Sequence, residues 1–294
     1  MNKKIILFII ITYGLSILLA SGFYLAGGQA DFIGGQIFGV VYMFMPFIGT
    51  IIVQKLIYGE KIIKPLKMNF RINRWWVAAG LLPFLISGLT FVIGLLFPGV
   101  SFSPGMEGML EVYSETMPRE ILAELEQMEL SFTFLILGLI QSVFAAFTIN
   151  NLFAFGEEIG WRGLMYCELK EMGFWKKSIL IGLFWGLWHA PLIIMGHNYP
   201  NYPVIGVFMM VVFCVLYSPL FTFVRKVTGS VVGASILHGA VNASVGYSFM
   251  FLQGGNELLV GLMGLAGFIV LLLVNFVLYY FWYKRTDDLI ENKQ

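Results

Sequence analysis

Charged residues are scarce in this sequence. Lys and Arg number 18 and Asp and Glu 17 among 294 residues, so 12% of the chain is charged, whereas soluble domains carry about a quarter. Hydrophobic residues make up 59%, and the mean hydropathy is +0.83. This composition argues against a soluble domain or a nucleic-acid-binding protein, and it predicts a protein whose solvent is the lipid bilayer.

Cysteine and histidine are also rare. Cys167 and Cys214 form no CxxC pair and no cluster with histidine, which argues against a disulfide framework or a structural zinc site. We expect both cysteines to pack as small apolar side chains.

Apolar runs of about 20 residues, the length that crosses the hydrocarbon core, recur along the whole chain. They predict an all-α, polytopic membrane bundle of about eight transmembrane helices that forms one membrane domain, residues 1–294. We expect the first run to be a retained helix and not a signal peptide. The runs cover residues 5–26, 34–57, 75–98, 131–155, 177–196, 203–224, 230–251 and 258–283.

Basic residues are concentrated in the even-numbered connections between these runs. Because Lys and Arg are enriched in cytoplasmic loops, both termini and all even connections are predicted to be cytoplasmic. We therefore expect a multi-pass protein of the cell membrane. The residues that carry this prediction are Lys3, Lys4, Lys55, Lys61, Lys64, Lys67, Arg71, Arg74, Lys170, Lys176, Lys177, Arg225, Lys226, Lys284 and Arg285.

The third connection, 99–130, is acidic. Ile121, Leu125 and Met128 recur in it at helical spacing, which predicts an amphipathic helix on the outer surface; a solvated loop is the alternative. The acidic residues are Glu107, Glu111, Glu115, Glu120, Glu124, Glu126 and Glu129, against Arg119 alone.

A few polar side chains lie in or beside the apolar runs of the second half. Ionisable groups at such places are costly, so they usually face the bundle interior and serve a function. They follow the fourth run or lie within the fifth and seventh, and they are Glu157, Glu158, Arg162, His189, His238 and Asn242.

The spacing of the charged group suggests different roles for its two carboxylates. Glu158 and Arg162 are four residues apart, so they can form an ion pair on one helix. Glu157 points about 100° away from Glu158 and stays free, which makes it the better candidate base.

The same helix is rich in glycine. Gly156, Gly160 and Gly163 keep it thin, and we expect another helix or a substrate backbone to approach it closely.

These side chains supply what is needed to hydrolyse an amide without a serine or cysteine nucleophile. A carboxylate and an imidazole, such as Glu157 and His189, can polarise a water molecule. His238 and Asn242, on one helix face, can stabilise an oxyanion. The alternatives are that the carboxylates are ordinary residues of the cytoplasmic rim, and that the histidines and Asn242 are hydrogen-bonding links between helices.

The expected depths of these groups do not agree. Glu157 lies about 26 residues into its run, near the cytoplasmic rim, whereas His189 lies about 12 residues, or roughly 18 Å, from the cytoplasmic end of the next helix. Either the fourth helix is displaced or tilted into the bundle, or the fifth begins in the cytosol.

Three segments resemble the motifs of one family. EEIGWR, from Glu157 to Arg162, is similar to EExxxR; FWGLWHAPL resembles FxxxH; and SILHGAVN resembles HxxxN. These are motifs of the type II CAAX prenyl endopeptidases and of their relatives, the CAAX-protease and bacteriocin-processing proteins, which include lysostaphin resistance protein A-like proteins.

The resemblance implies an intramembrane endopeptidase of glutamate type. It implies that the residues matching Glu157 and His189 activate water, that those matching His238 and Asn242 form the oxyanion site, and that Glu158 and Arg162 support them. No cofactor is expected in this interpretation.

The same resemblance divides the chain into three parts. Residues 1–130 hold helices one to three and the acidic loop, 131–251 the catalytic core of helices four to seven, and 252–294 the last helix and tail. The expected partners are the bilayer and a peptide or protein substrate that enters from the cytoplasmic side; no nucleic acid is expected, and the oligomeric state is left open.

Three other functions are left open. One is a zinc-dependent metalloprotease in which Glu157, His189 and His238 are the ligands. The second is a non-catalytic membrane scaffold or bacteriocin immunity protein. The third is a transporter or proton-coupled carrier, since intramembrane Glu and His also form proton relays.

Overall fold

The computed structural model describes residues 2–28, 34–106, 110, 119–126 and 132–283. Over these residues the chain is helical apart from turns and one antiparallel pair of two-residue strands. The predicted all-α membrane bundle is therefore confirmed. Glu107, Glu111, Glu115, Met128, Glu129, Lys284 and Arg285, on which some of the predictions rest, lie outside the described residues.

The first part of the chain forms four helices. They are α1 (Lys3–Leu25), α2 (Gly34–Met43), α3 (Met45–Thr50), which continues as a π-helical segment (Ile51–Ile57), and α4 (Arg74–Gly94). The side chains of Asn2 and Asn73 cap α1 and α4, each accepting a hydrogen bond from a backbone N–H of the first turn.

The acidic third connection contains a helix, as predicted, over Arg119–Glu126 (α5). Strand β1 (Ser101–Phe102), at the start of this connection, pairs with β2 (Leu252–Gln253). The pairing fixes the third connection to the segment that precedes the last helix.

The fourth predicted helix is broken. α6 (Phe132–Phe147) and α7 (Ile149–Glu158) are separated by Thr148, whose backbone is not helical, and the two segments are bent by 40°. A π-helical segment (Ile159–Met165) and the short α8 (Tyr166–Glu168) follow. The bend turns the end of the fourth helix away from the line of its first half.

The remaining helices enclose this bent element. They are α9 (Phe174–Trp188), α10 (Ala190–Ile194), α11 (Pro203–Thr228), α12 (Val231–Ser244) with a 3₁₀ turn (Val245–Ser248), and α13 (Leu265–Leu278) with a terminal π-helical segment (Tyr279–Tyr283).

Five helical stretches of the described residues are long and apolar enough to span a membrane, or six if α6 and the bent segment after it count as one span. Two further predicted spans, 177–196 and 230–251, are helical but interrupted: the first at His189 and the second after Ser244. The number of eight spans and the cytoplasmic position of the termini stay predictions.

Two basic residues that we assigned to connections lie inside the bundle instead. Arg225 is in the last turn of α11 and 4% exposed, and Lys177 is in the first turn of α9 and 8% exposed. One helix continues to Thr228 and the other begins at Phe174, each beyond the predicted run. The cationic groups of Lys177 and Arg225 both lie over the ring of Tyr166.

Close contact between α9 and α11 depends on glycine. A Cβ atom at Gly186 would lie 2.6 Å from Val211 Cα, and one at Gly182 would lie 2.7 Å from the carbonyl oxygen of Cys214. Small residues allow helix backbones to approach in this way. The approach positions the face of α9 that carries Trp185 and His189.

We expect Gly186→Ala to lower the free energy of unfolding by about 1–3 kcal/mol, because the added methyl group overpacks this contact. Thermal denaturation in detergent measures the change. Gly88→Ala in α4 is the matched control, since a Cβ there meets no atom within 4 Å. A Gly186→Ala variant as stable as the control would contradict the close approach of α9 and α11.

Candidate active site

The two glutamates end α7 and are buried. Glu157 is 2% exposed and Glu158 is fully buried. The interpretation of the pair as ordinary rim carboxylates is therefore wrong. The chain continues into the π-helical segment that carries Arg162, and such segments are frequent at functional sites.

The carboxylate of Glu158 has hydrogen-bond partners on two sides. Its Oε1 accepts a hydrogen bond from Arg162 Nη1 at 3.0 Å, so the predicted ion pair is present, and another from His238 Nδ1 at 2.8 Å. A buried carboxylate is tolerated when it is paired and hydrogen-bonded in this way.

Arg162 is fully buried between aromatic rings. Its guanidinium lies 4.1 Å from the ring centroid of Phe221 and 4.5 Å from that of Trp185, a cation–π arrangement. Nη2 donates to Ser218 Oγ at 3.4 Å, and the backbone carbonyl of Arg162 accepts from Arg225 Nε at 2.9 Å. The motif arginine is thereby fixed by α9 and α11.

Glu157 has a different environment. No described cation pairs with it; its Oε2 accepts a hydrogen bond from Trp185 Nε1 at 2.8 Å. The two adjacent carboxylates therefore differ in their partners: Glu158 is paired with the charged Arg162, whereas Glu157 accepts from the neutral indole of Trp185.

His189 lies at the end of α9. Its Nδ1 is 2.8 Å from the carbonyl oxygen of Trp185. A carbonyl only accepts, so Nδ1 carries the hydrogen and Nε2 is left as an acceptor. The ring packs edge-on against Trp185 and Trp188, with centroids 5.7 and 4.9 Å apart.

His238 and Asn242 lie on α12, one turn apart as predicted, but in different surroundings. His238 is 5% exposed and packs against Trp185 and Phe221, with centroids 5.4 and 5.7 Å away. Asn242 is exposed, and its side chain forms no hydrogen bond with the described residues. The structure thus brings five of the six predicted side chains together and leaves Asn242 at the edge.

Glycines allow the elements of the site to approach. A Cβ at Gly239 of α12 would lie 2.7 Å from the backbone nitrogen of Asn151, and those at Gly156 and Gly160 would lie 2.8 Å from Met43 O and from Phe8 and Pro46 atoms. Gly163 has only ordinary contacts. The expected close approach to the motif helix is confirmed at two of its three glycines.

The conflict between the expected depths of Glu157 and His189 has a structural answer. The helix that carries Glu157 is bent at Thr148, and Trp185, one turn before His189, extends its indole to Glu157. Glu157 and His189 are thus connected through Trp185, which donates its indole N–H to Glu157 and accepts from His189 with its backbone carbonyl.

Trp185 was missed by the sequence interpretation, as were Phe221, Ser218 and the inward position of Arg225. Trp185 stands four residues before His189, where the FxxxH motif has phenylalanine; Phe184 lies five residues before it. The i, i+4 spacing of Trp185 and His189 was the available signal, since it places both on one helix face.

The described side chains include suitable zinc ligands, but they are not close enough together to bind one ion. Nε2 of each histidine and the second oxygen of Glu157 are chemically suitable ligands. Among the described residues, however, no three His, Cys, Asp or Glu side chains are grouped so that they could hold one metal ion.

Comparison with known proteins points to the same region. Residues 131–244 match the family described as Rce1-like, type II CAAX prenyl endopeptidase. CAAX prenyl protease 2 of Methanococcus maripaludis is 48% identical over 44 residues, which are 15% of this chain and 16% of that protein. The match thus spans only a small part of the length of this relative.

The fold and the spans define a multi-pass helical membrane protein with a buried cluster of polar side chains. The comparisons then confirm the resemblance to the CAAX-protease and bacteriocin-processing family, over the region that carries the site.

Because Glu158 and Arg162 form a buried ion pair, we expect substitutions at the two positions to have non-additive effects on the free energy of unfolding. Arg162→Met and Glu158→Gln should each destabilise the protein by about 3–5 kcal/mol, because each leaves a buried group without its partner. The double variant should lose less than the sum by at least about 1 kcal/mol. Unfolding by sodium dodecyl sulfate in mixed micelles measures these free energies.

The exposed pair of Lys170 and Glu171, 3.8 Å apart, is the control. The changes in the free energy of unfolding caused by Lys170→Met and Glu171→Gln should sum to that of the double variant within about 0.5 kcal/mol. Additive effects at Glu158 and Arg162 as well would show that the buried pair is not coupled.

Proposed function

We propose that the chain is an intramembrane endopeptidase that hydrolyses a peptide bond with water activated by Glu157 and His189. One observation carries the proposal: in an apolar bundle, two carboxylates and two imidazoles are arranged around Trp185, each with a different set of partners. The family match supports the endopeptidase class.

Glu157 is the general base. Its Oε2 is held by the indole of Trp185, and its Oε1 is left for a water molecule. His189 presents Nε2 as a second acceptor because its Nδ1 donates to a backbone carbonyl. A water held by both groups is oriented and polarised for attack.

His238 is the hydrogen-bond donor to the oxyanion. Its hydrogen bond to Glu158 determines the protonation state in which it can donate. Its Nδ1 is directed at the Glu158 carboxylate, so only the imidazolium has a second N–H, at Nε2, to give to an oxyanion. With Glu157 ionised and His238 protonated, two carboxylates balance Arg162 and His238. The exposed amide of Asn242 supplies the second donor to a bound substrate.

The reaction balances on these groups. The water oxygen attacks the carbonyl carbon while a proton passes to Glu157, which gives a tetrahedral oxyanion. Glu157 then returns that proton to the leaving nitrogen as the C–N bond breaks. The products are a carboxylic acid and an amine, and the enzyme ends in its starting state.

The substrate that suits the site is a peptide segment in extended form, reaching it from the cytoplasmic side of the cell membrane. Nothing in the site requires a prenyl group on that peptide. A zinc-dependent reaction and a non-catalytic scaffold or immunity role are the competing outcomes of the test below.

We expect Glu157→Gln to lower cleavage by about 100-fold or more, because removal of a general base costs this much. Glutamine has the same shape and still accepts from Trp185. The assay uses purified protein in liposomes with a fluorescent peptide library that carries lipidated and unlipidated C-termini, with and without a zinc chelator.

The control is Glu171→Gln, at an exposed carboxylate, which should cleave at the wild-type rate. Wild-type activity in Glu157→Gln would refute the mechanism. Loss of wild-type activity with the chelator and recovery with zinc would favour the metalloprotease, and a folded wild type inert across the library would favour the scaffold.

A second variant tests the hydrogen bond that positions Glu157. Trp185→Phe keeps a ring but removes the N–H, and a hydrogen bond to a charged group contributes about 1.5–3 kcal/mol. We therefore expect kcat to fall about tenfold to hundredfold with a small change in KM.

Trp175→Phe, on the same helix, is the matched control, because the indole nitrogen of Trp175 is buried and has no hydrogen-bond partner among the described residues. Equal kcat values for the two variants would show that the Trp185 hydrogen bond does not position the base.

A further inference from the structure

A basic pocket lies beside the candidate active site but shares none of its proposed catalytic residues. It has a volume of about 800 Å³ and lies between the 65–73 segment, α8 and the end of α11. Among the residues that the structure describes, its lining contains no Asp or Glu but five cationic residues: Lys67, Arg71, Lys170, Arg225 and Lys226.

The pocket is electropositive because its cations have few anionic partners in the described part of the chain. Glu168, the carboxylate of α8, is already paired with Lys4 at 2.9 Å. Glu171 lies 3.8 Å from Lys170, and both side chains are exposed to solvent, so this pair contributes little. Lys67, Arg71 and Lys226 are in no ion pair with the described residues.

The backbone carbonyl groups at the C-terminal end of α11 carry partial negative charge, but they do not fully offset the positive charge of the pocket. The carbonyl oxygen of Val227 accepts from the Asn73 side chain at 3.2 Å, and that of Gly229 accepts from Asn69 at 3.0 Å. These carbonyls would otherwise repel an anion. Two asparagines of the pocket lining therefore cover them.

The surroundings indicate a lipid and not a soluble anion. The side chains of Ile63, Phe70 and Ile72 are 64%, 76% and 77% exposed, and they alternate with lysine and arginine along the same segment. Ile72 itself lines the pocket. Apolar side chains among basic ones are typical of a surface at the level of the lipid headgroups.

We propose that this pocket binds the phosphate headgroup of an anionic phospholipid from the adjacent leaflet. The lysines and Arg71 contact the phosphate, and the acyl chains lie along Ile72 and Phe70. Arg225 connects this pocket to the active site, because it lines the pocket while its Nε holds the carbonyl of Arg162.

The experiment measures lipid binding and needs no proteolytic activity, so it is independent of the proposed function. Purified protein in neutral detergent is given equal amounts of phosphatidylglycerol and phosphatidylcholine, and native mass spectrometry counts the lipids retained. The wild type should retain phosphatidylglycerol preferentially. Lys170→Gln/Lys226→Gln should weaken that binding by about fivefold or more for each charge removed.

Lys61→Gln/Lys64→Gln is the matched control, since it removes two exposed basic residues of the same face that do not line the pocket. It should bind phosphatidylglycerol as the wild type does, and equal melting temperatures would show that all three proteins are folded. An equal loss in both double variants would overturn the proposal in favour of diffuse surface charge.

Two other results would also overturn it. One is unchanged binding in Lys170→Gln/Lys226→Gln. The other is displacement of the lipid by millimolar glycerol phosphate or inorganic phosphate, which would identify the occupant as a soluble anion.

Discussion

The burial of one carboxylate constrains the whole second half of this molecule. Glu158 has no exposed surface in a mostly apolar bundle, and a carboxylate there is tolerated only when it is paired and hydrogen-bonded. Arg162 supplies one partner from the same helix and His238 the other from α12. The arginine is in turn held by α9 and α11 through Trp185, Phe221 and Ser218. Four helices thus take their relative positions from one ionic cluster.

The same cluster explains how two neighbouring glutamates differ. The carboxylate of Glu158 accepts hydrogen bonds from Arg162 and His238. Among the described residues, the carboxylate of Glu157 accepts a hydrogen bond from the indole of Trp185 alone. Trp185 separates the two environments, because its ring contacts Arg162 and His238 while its nitrogen faces Glu157. A rigid aromatic side chain is suited to this position, since it has few rotamers and fills the space between the charged groups.

Arg225 extends the network towards the basic pocket. It is a buried cation at the end of α11, with Nε bonded to the backbone of the motif and the rest of its guanidinium near Tyr166 and Leu66. A ligand in the basic pocket would therefore touch an arginine that also supports Arg162. The basic pocket and the candidate site are thus connected through the hydrogen bond from Arg225 Nε to the carbonyl oxygen of Arg162.

Much of this arrangement follows from the order of residues along single helices. The apolar runs determine a helical membrane protein, because only a helix satisfies its own backbone hydrogen bonds in lipid. The i, i+4 spacing determines the Glu158–Arg162 pair and leaves Glu157 out of it, since helical geometry alone decides which neighbours meet. The three motifs likewise identify five side chains that the fold brings together.

The tertiary structure decided everything that depends on contact between different helices. The bend at Thr148, the inward turn of Arg225 and the exposure of Asn242 leave no periodic signal in the sequence, and the spacing of Trp185 and His189 does not show that the indole reaches Glu157. Each is set by which helix packs against which, and at what distance glycine allows the backbones to approach. Spacing along one helix is encoded locally, whereas these contacts exist only once the helices have packed.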